Sequence, residues 1–285
     1  MTKKIAFQGK PGAYSDFACR AAFPSYKPLP CGSFLDAFIA VEKGQADLAM
    51  IPIDNSIAGR VADIHYLLPK YHLHFVAEHF LPIDHCLLGV DGAKISDVKK
   101  VYSHAHALPQ CRDIIKRMKW EPVVWSDTAG AAERVAEMKD KSCAAIASGA
   151  TADIYGLKIL KKNIADTKDN VTRFLALSRT ADIPPLKKGG RYVTSFIFSV
   201  KNIPAALYKT LGGFATNGVN MLKLESYMPA SVFASTLFYC EVEGHQADGP
   251  VKQAIEELHF FGKDVRILGT YKADSWRSKS NKNKK

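Results

Sequence analysis

From residue 3 to about 180, short apolar runs alternate with junctions of small or polar residues and then with apolar positions at helical spacing. That alternation predicts an α/β fold. Ile5 to Phe7 runs into Gly9-Lys10-Pro11-Gly12 and a helix near Asp16 to Phe23, and Asp47 to Ile53 runs into Asn55-Ser56 with a helix beyond Gly59. Val123 to Trp125 leads through Ser126-Asp127-Thr128 into the helical run Ala129 to Met138, and Ala144 to Ala147 leads through Ser148-Gly149 into a helix ending at Tyr155. All four junctions close a strand. Ligands of open α/β sheets gather outside the carboxyl ends of strands, where helix N-termini offer free N–H groups and partial positive charge. A single Ser or Thr there is ordinarily an N-cap, so only several converging junctions make a site.

The pattern breaks at Ile183-Pro184-Pro185 and Lys187-Lys188-Gly189-Gly190, which reads as a linker. Beyond it come strand Tyr192 to Val200, helix Ala205 to Ala215, strands Met221 to Tyr227 and Phe233 to Val242, helix Pro250 to Phe260 and strand Val265 to Tyr271. This βαββαβ order predicts a ferredoxin-like antiparallel sheet with two helices on one face. A length of 285 residues fits two or three compact units, and 47% apolar with 24% charged residues is ordinary globular usage. The formal charge of +11 is inflated by the last nine residues, which carry five basic side chains and no acidic one; subtracting those five leaves +6. With no Lys/Arg run interleaved with aromatics in the body, that surplus points to small anions and away from nucleic acid. Six cysteines without a C-x-x-C pair suggest reduced thiols, and the N-terminus lacks the apolar core of a signal peptide. No stretch reaches transmembrane length, so no membrane partner and a cytoplasmic location are expected.

Five stretches, in order, resemble one family. They are Gly9-Lys10-Pro11-Gly12-Ala13-Tyr14-Ser15-Asp16, then Pro52-Ile53-Asp54-Asn55-Ser56 with Gly59 and Val61, then Ser103-His104 with Ala107-Leu108 and Gln110-Cys111. Asp127-Thr128-Ala129-Gly130-Ala131-Ala132 and Asn170-Val171-Thr172-Arg173-Phe174 complete the set, the last being the most specific. Together they resemble prephenate dehydratase, and the βαββαβ tail resembles the ACT domain that commonly follows it. The chain departs from the family pattern at Ala13, Asp54, Ala105 and His106, and in the ACT portion at Ala205 and at Tyr227-Met228, where Gly and Arg-Pro are usual.

The resemblance implies a two-lobed catalytic region over residues 1–182 of type II periplasmic-binding-protein kind. Lobe one would cover about 1–80 and 160–182, and lobe two about 81–159. An ACT regulatory domain would span 191–273, with a basic disordered tail at 274–285 whose removal from 277 onward leaves activity intact. The implied reaction is decarboxylation and loss of the ring hydroxyl of prephenate to give phenylpyruvate, needing no cofactor and no metal. Within the motifs, Thr172 is the residue tied to turnover and His104 a rival acid, since imidazole titrates near neutrality. Arg173 is expected to grip one carboxylate through its planar guanidinium, with Phe174 packed beside it. Asn55, Ser56 and Thr128, at helix starts, with Ala129, and Tyr14 and Ser15 of the opening element, are expected to complete the substrate site. His65, His72, His74, His79 and His85 crowd a short span, but without a third ligand at useful spacing they read as structural or surface residues.

The ACT resemblance implies a homodimer or homotetramer with L-phenylalanine as effector, held by Ala205, Ala206, Leu207, Asn217, Val219, Asn220, Glu225 and Ser226. A methyl at Ala205 narrows any close backbone approach to a ligand, so weakened or altered effector binding is expected. Arogenate dehydratase and a non-catalytic anion or amino-acid sensor are the competing readings.

Overall fold

The computed structural model describes residues 2–201, 203–227 and 236–278. In chain order the elements are β1 (Lys4–Gln8), α1 (Tyr14–Ala22), β2 (Lys27–Cys31), α2 (Phe34–Glu42), β3 (Leu48–Asn55), β4 (Gly59–Arg60), α3 (Ala62–Leu67) and β5 (His74–Pro82). Then follow β6 (His85–Gly89), β7 (Lys100–His104), α4 (Arg112–Met118), β8 (Glu121–Trp125), α5 (Thr128–Met138), β9 (Cys143–Ser148), α6 (Thr151–Tyr155), β10 (Lys158–Lys161) and β11 (Val171–Ser178). The C-terminal part adds β12 (Tyr192–Val200), α7 (Ala206–Thr216), β13 (Met221–Tyr227), β14 (Leu237–Glu243), α8 (Gly249–Phe261) and β15 (Gly262–Lys272).

The chain divides into two compact units, Met1–Val61 with His79–Phe174, and Ala62–Glu78 with Leu175–Lys285. The first is two-lobed. One lobe is built on the sheet β2-β1-β3-β11-β5, with β4 paired to β3, and the other on β10-β6-β9-β7-β8. In the second lobe the strand alternation is legible in the packing. Leu87, Val101, Ala144 and Ile146 join one core with Ile114, Ile115 and Trp120 of the α4 side, whereas Cys86, Leu88, Ala145 and Ala147 join another with Ala131, Ala132 and Val135 of α5. A strand buried on both faces reads as a continuous apolar run, which is why 143–147 carries no polar position.

One junction differs from expectation. β3 continues to Asn55 and turns back as a hairpin, pairing Asp54 with Arg60 and Asn55 with Gly59, so Asn55 and Ser56 do not begin a helix. The helix expected beyond Gly59 is present at Ala62–Leu67.

The second unit carries the four-stranded sheet β13-β14-β12-β15, the strand order of a ferredoxin-like fold, with α7 and α8 on one face. Phe196 and Phe198 of β12 and Phe238, Cys240 and Val242 of β14 point to the helices and pack on Phe214, Val251, Ala254 and Leu258. The opposite face carries Tyr239 and Glu241, to which the register adds Lys223, Glu225 and Tyr227 of β13. Here the segment 62–78, expected in lobe one, packs within the second unit. Arg266 donates to the Tyr71 carbonyl at 2.9 Å, and His65 lies edge-on to Tyr227 and Tyr239.

The tail also begins later than expected. Trp276 to Ser278 form a helical turn, and Arg277 grips Glu78 through Nε to Oε1 at 2.7 Å and Nη2 to Oε2 at 2.8 Å. Residues 279–285, the remainder of the expected tail, lie outside the described residues, as does Met228.

Candidate active site

Asn55 is the pivot. Its Oδ1 accepts from the backbone amides of Ile57 at 3.0 Å and Ala58 at 2.8 Å, closing the hairpin turn. Its Nδ2 donates to Asn170 Oδ1 at 2.7 Å and to Thr172 Oγ1 at 3.0 Å. Asn170 passes its own Nδ2 to Gln110 Oε1 at 2.7 Å, and Gln110 Nε2 faces Asn55 Oδ1 at 3.5 Å. Within lobe two, His85 Nε2 lies 2.7 Å from Gln110 Oε1; across the lobes, its Nδ1 lies 3.1 Å from the Tyr14 hydroxyl, which also reaches the Asp84 carbonyl at 2.8 Å. Residues distant in sequence thus form one hydrogen-bonded chain from Tyr14 to Thr172.

Burial lowers the pKa of His85, against smaller opposing effects of the Gln110 hydrogen bond and Asp84. Burial, with Cys86, Asp84 and Cys111 adding to it, raises Tyr14 well above an ordinary phenol. Both rings therefore stay uncharged at neutral pH, as a largely dry chain of neutral donors requires.

Thr172 and Arg173 are separated by the strand. Successive side chains of β11 point to opposite faces. Thr172 meets Asn55, while Arg173 meets Asp54 with Nη1 to Oδ2 at 3.5 Å and lies 5.9 Å from the Phe80 ring centroid. Arg173 is only 6% exposed and, on this geometry, meets Asp54 on the face of β11 opposite the Thr172 hydroxyl. Phe174, on the Thr172 face, is fully buried in the core.

The other expected residues divide similarly. Ser56 donates its one proton to the Asp169 carbonyl at 2.8 Å and accepts from the Val171 amide at 2.9 Å, so it stitches the hairpin to β11. Asp127, not Thr128, caps α5, accepting from the Gly130 amide at 2.8 Å; Thr128 is buried in the first turn, and Ala129 has only its backbone to offer. The glycine-rich element turns its carbonyls to lobe two, Gly12 receiving Thr151 Oγ1 at 2.8 Å and Pro11 receiving the Tyr155 hydroxyl at 2.9 Å. The Gly12 amide is itself taken by buried Asp16 at 2.9 Å, so this element joins the lobes and does not cradle an anion with that amide. Ser15 is buried on α1 next to Tyr14. His104 ends β7, where its Nδ1 accepts from the His106 amide at 3.2 Å. Burial and His106 lower its pKa and Asp127 opposes them, which leaves it a poor reservoir of charge at neutral pH.

Gln110, His85 and Asn170 enter the site without having been singled out as site residues. Gln110 lies in a short 3-10 turn, Leu108–Cys111, and no periodicity marks it. In the second unit, Glu225 and Ser226 fall on opposite faces of β13. Ser226 lies across from Phe238 on the helix side with Ala205, Ala206 and Leu207, whereas Glu225 meets Lys223 Nζ at 3.1 Å and His65 Nε2 at 2.9 Å. Asn217 holds Glu257 Oε1 at 3.0 Å, Asn220 holds Glu243 at 3.2 Å and Val219 packs on the helix-side core. The eight expected effector residues therefore do not form one cluster.

The family model for prephenate dehydratase matches residues 5–182. The bifunctional N-acyl-homoserine lactone acylase/prephenate dehydratase of Komagataeibacter europaeus is 48% identical over 96% of this chain and 98% of its own. Arogenate dehydratase/prephenate dehydratase 1, chloroplastic, of Arabidopsis thaliana is 40% identical over 95% of this chain and 72% of its own. The crystal structure of prephenate dehydratase in complex with L-Phe from Arthrobacter aurescens superposes with a TM-score of 0.86 at 30% identity, covering 95% of this chain and 90% of that one. On these matches and on the fold, the chain belongs to the prephenate dehydratase family of carbon–oxygen lyases.

Proposed function

We propose that the enzyme converts prephenate to phenylpyruvate, with Thr172 as the hydrogen-bond donor to the departing hydroxyl. The bond from ring carbon to carboxylate breaks, its electron pair enters the ring, and the ring hydroxyl leaves as hydroxide, which takes one proton to become water. Carbon dioxide and the aromatic product remain. The observation that carries this reading is the direction of one hydrogen bond: Thr172 Oγ1 accepts from Asn55 Nδ2 at 3.0 Å, so the threonine proton is left for another acceptor. Among the described residues no protein group takes it. Threonine is too weak an acid to ionise first, so donation is concerted with C–O cleavage and the proton is replaced from solvent. One carboxylate is assigned to the start of α5, where the Thr128 hydroxyl remains after Asp127 has capped Gly130.

Thr172→Ala is expected to lower turnover by roughly 10²- to 10⁴-fold, the scale of assisted proton transfer. The assay is phenylpyruvate formation from prephenate, and near-normal turnover sinks the assignment. Paired assays with arogenate decide substrate preference, since the Arabidopsis relative carries both names. The Komagataeibacter relative motivates one further assay, release of homoserine lactone from an N-acyl-homoserine lactone.

The second unit we read as an ACT domain that pairs subunits in a homodimer or homotetramer, with phenylalanine bound weakly or replaced by another effector. Support comes from its strand order and from the scattering of the effector positions described above. Calorimetric titration with phenylalanine, tyrosine and tryptophan tests it, and tight phenylalanine binding with full inhibition overturns the weakened-effector reading.

A further inference from the structure

We infer that His85 is a positioning residue for turnover, locked as its Nε2–H tautomer by a chain of amides whose polarity is set at the Asn55 turn. The inference rests on the dehydration reading and deepens it. Backbone amides only donate, so the Asn55 atom facing Ile57 and Ala58, at 3.0 and 2.8 Å, is its oxygen. Its nitrogen therefore faces Asn170 and Thr172, and a side-chain amide nitrogen also only donates. Asn170 must turn its oxygen to Asn55 and its nitrogen to Gln110, at 2.7 Å each. Gln110 then presents Oε1 both to Asn170 and to His85, and an oxygen at 2.7 Å from the ring nitrogen requires a hydrogen on that nitrogen.

Neutral imidazole has one N–H, so Nδ1 is an acceptor, and the one proton of the Tyr14 hydroxyl lies between two acceptors, His85 Nδ1 at 3.1 Å and the Asp84 carbonyl at 2.8 Å. Protonating the ring would only turn the tyrosine proton to the Asp84 carbonyl, 2.8 Å away. Nε2–H persists in either state. His85 is 2% exposed, so this donor has no water to replace it. Without it, Gln110 Oε1 loses one of two donors, and the amide that orients Asn55 and hence Thr172 is free to turn over.

The test uses the full chain in two arms. Long-range ¹⁵N–¹H correlation spectra of histidine-labelled protein, with His85→Gln for assignment, should show a protonated Nε2 across neutral pH; a neutral Nδ1–H tautomer overturns the inference. In the kinetic arm, His85→Leu and His85→Asn should lower kcat roughly 10- to 100-fold with KM within about threefold, the usual scale for residues that orient a reacting group. His85→Gln, whose amide reaches the Nε2 position, should recover about tenfold over His85→Asn, whose amide reaches only Nδ1. Equal turnover of the Asn and Gln variants, or a change confined to KM, overturns it; if the Leu variant does not fold, that pair decides alone. Thr172→Ala runs in parallel. Its inactivity beside wild-type turnover in the His85 variants sinks the His85 role only, whereas an active Thr172→Ala sinks the dehydration reading, and the tautomer spectra still judge the relay.

Discussion

Ending the chain at Trp276 should destabilise the second unit, although Arg277 lies in a stretch whose composition reads as a solvated tail. Arg277 makes two parallel bonds of 2.7 and 2.8 Å to the Glu78 carboxylate and stands 3.5 Å from Glu241 Oε2. Both carboxylates are buried, Glu78 with a fully covered side chain, while the Arg277 side chain is 18% exposed. Tyr239 donates to Glu241 and the Asp274 amide donates to Glu78 at 2.9 Å, so the network is anchored on β5, β14 and the final turn together. Removing one partner of a buried pair costs about 3–5 kcal/mol, because a desolvated charge is left behind. At roughly 3 °C per kcal/mol for a unit of this size, the unit's unfolding midpoint should fall by about 10 °C or more. The assay is differential scanning calorimetry of the full chain, a chain ending at Ser278 and one ending at Trp276. The first two should unfold together and the third earlier. Arg277→Lys should lie between, since an ammonium keeps the charge but not the bidentate geometry. Coincident midpoints for all four proteins would refute the reasoning.

Three further outcomes follow from the same geometry. Ala205 sits in the left-handed region at φ 61°, so Ala205→Gly should raise the thermal midpoint by the equivalent of about 1 kcal/mol, the steric penalty less the entropy of glycine in the unfolded chain; a lowered midpoint contradicts this. Glu225 is held at a pKa of about 2: burial alone would raise it, but His65 and Lys223 outweigh burial. His65 Nε2 lies 2.9 Å from Glu225 Oε2. A depressed carboxyl contributes stability above its unfolded pKa of about 4.3 and loses it as pH falls towards about 2, on the order of 1–3 kcal/mol here. Glu225→Gln should flatten the acid limb of the stability curve over that window, and an unchanged limb counts against the pair. Arg173→Lys should lower stability by about 1–3 kcal/mol while KM for prephenate stays within about threefold; a large KM rise at an unchanged midpoint would return Arg173 to the substrate.

The parts of the fold legible in the sequence are those where one physical signal dominates. Strands β12 and β13 match their expected bounds, and α5 and α8 match within one residue at each end, because apolar periodicity there is unopposed by unusual turns. The hairpin at Asn55 was not legible as such. Asn55-Ser56 looks like a helix cap, and only the tertiary pairing of Gly59 with Asn55 shows that the asparagine oxygen caps a turn instead. The ordered turn at 276–278 was hidden for a related reason, since its stability comes from Glu78, 199 positions earlier, and not from local composition.

The site shows a more general limit of reading motifs by adjacency. Asp54 and Asn55, Thr172 and Arg173, and Glu225 and Ser226 are each neighbours in a motif and each lie on a strand. A strand sends neighbours to opposite faces, so such a pair cannot act on one ligand from one side. The pairs that do meet are Asn55 with Thr172 and Asp54 with Arg173, formed across the sheet at separations of 117 and 119 residues. One pair orients a hydroxyl and the other forms a partly exposed ion pair, although the motif writes all four residues as if they served one purpose. Assigning roles by face before chemistry leads to Asn170 and Gln110, which stand in the motifs without an assigned role, and to His85, which stands in none of them.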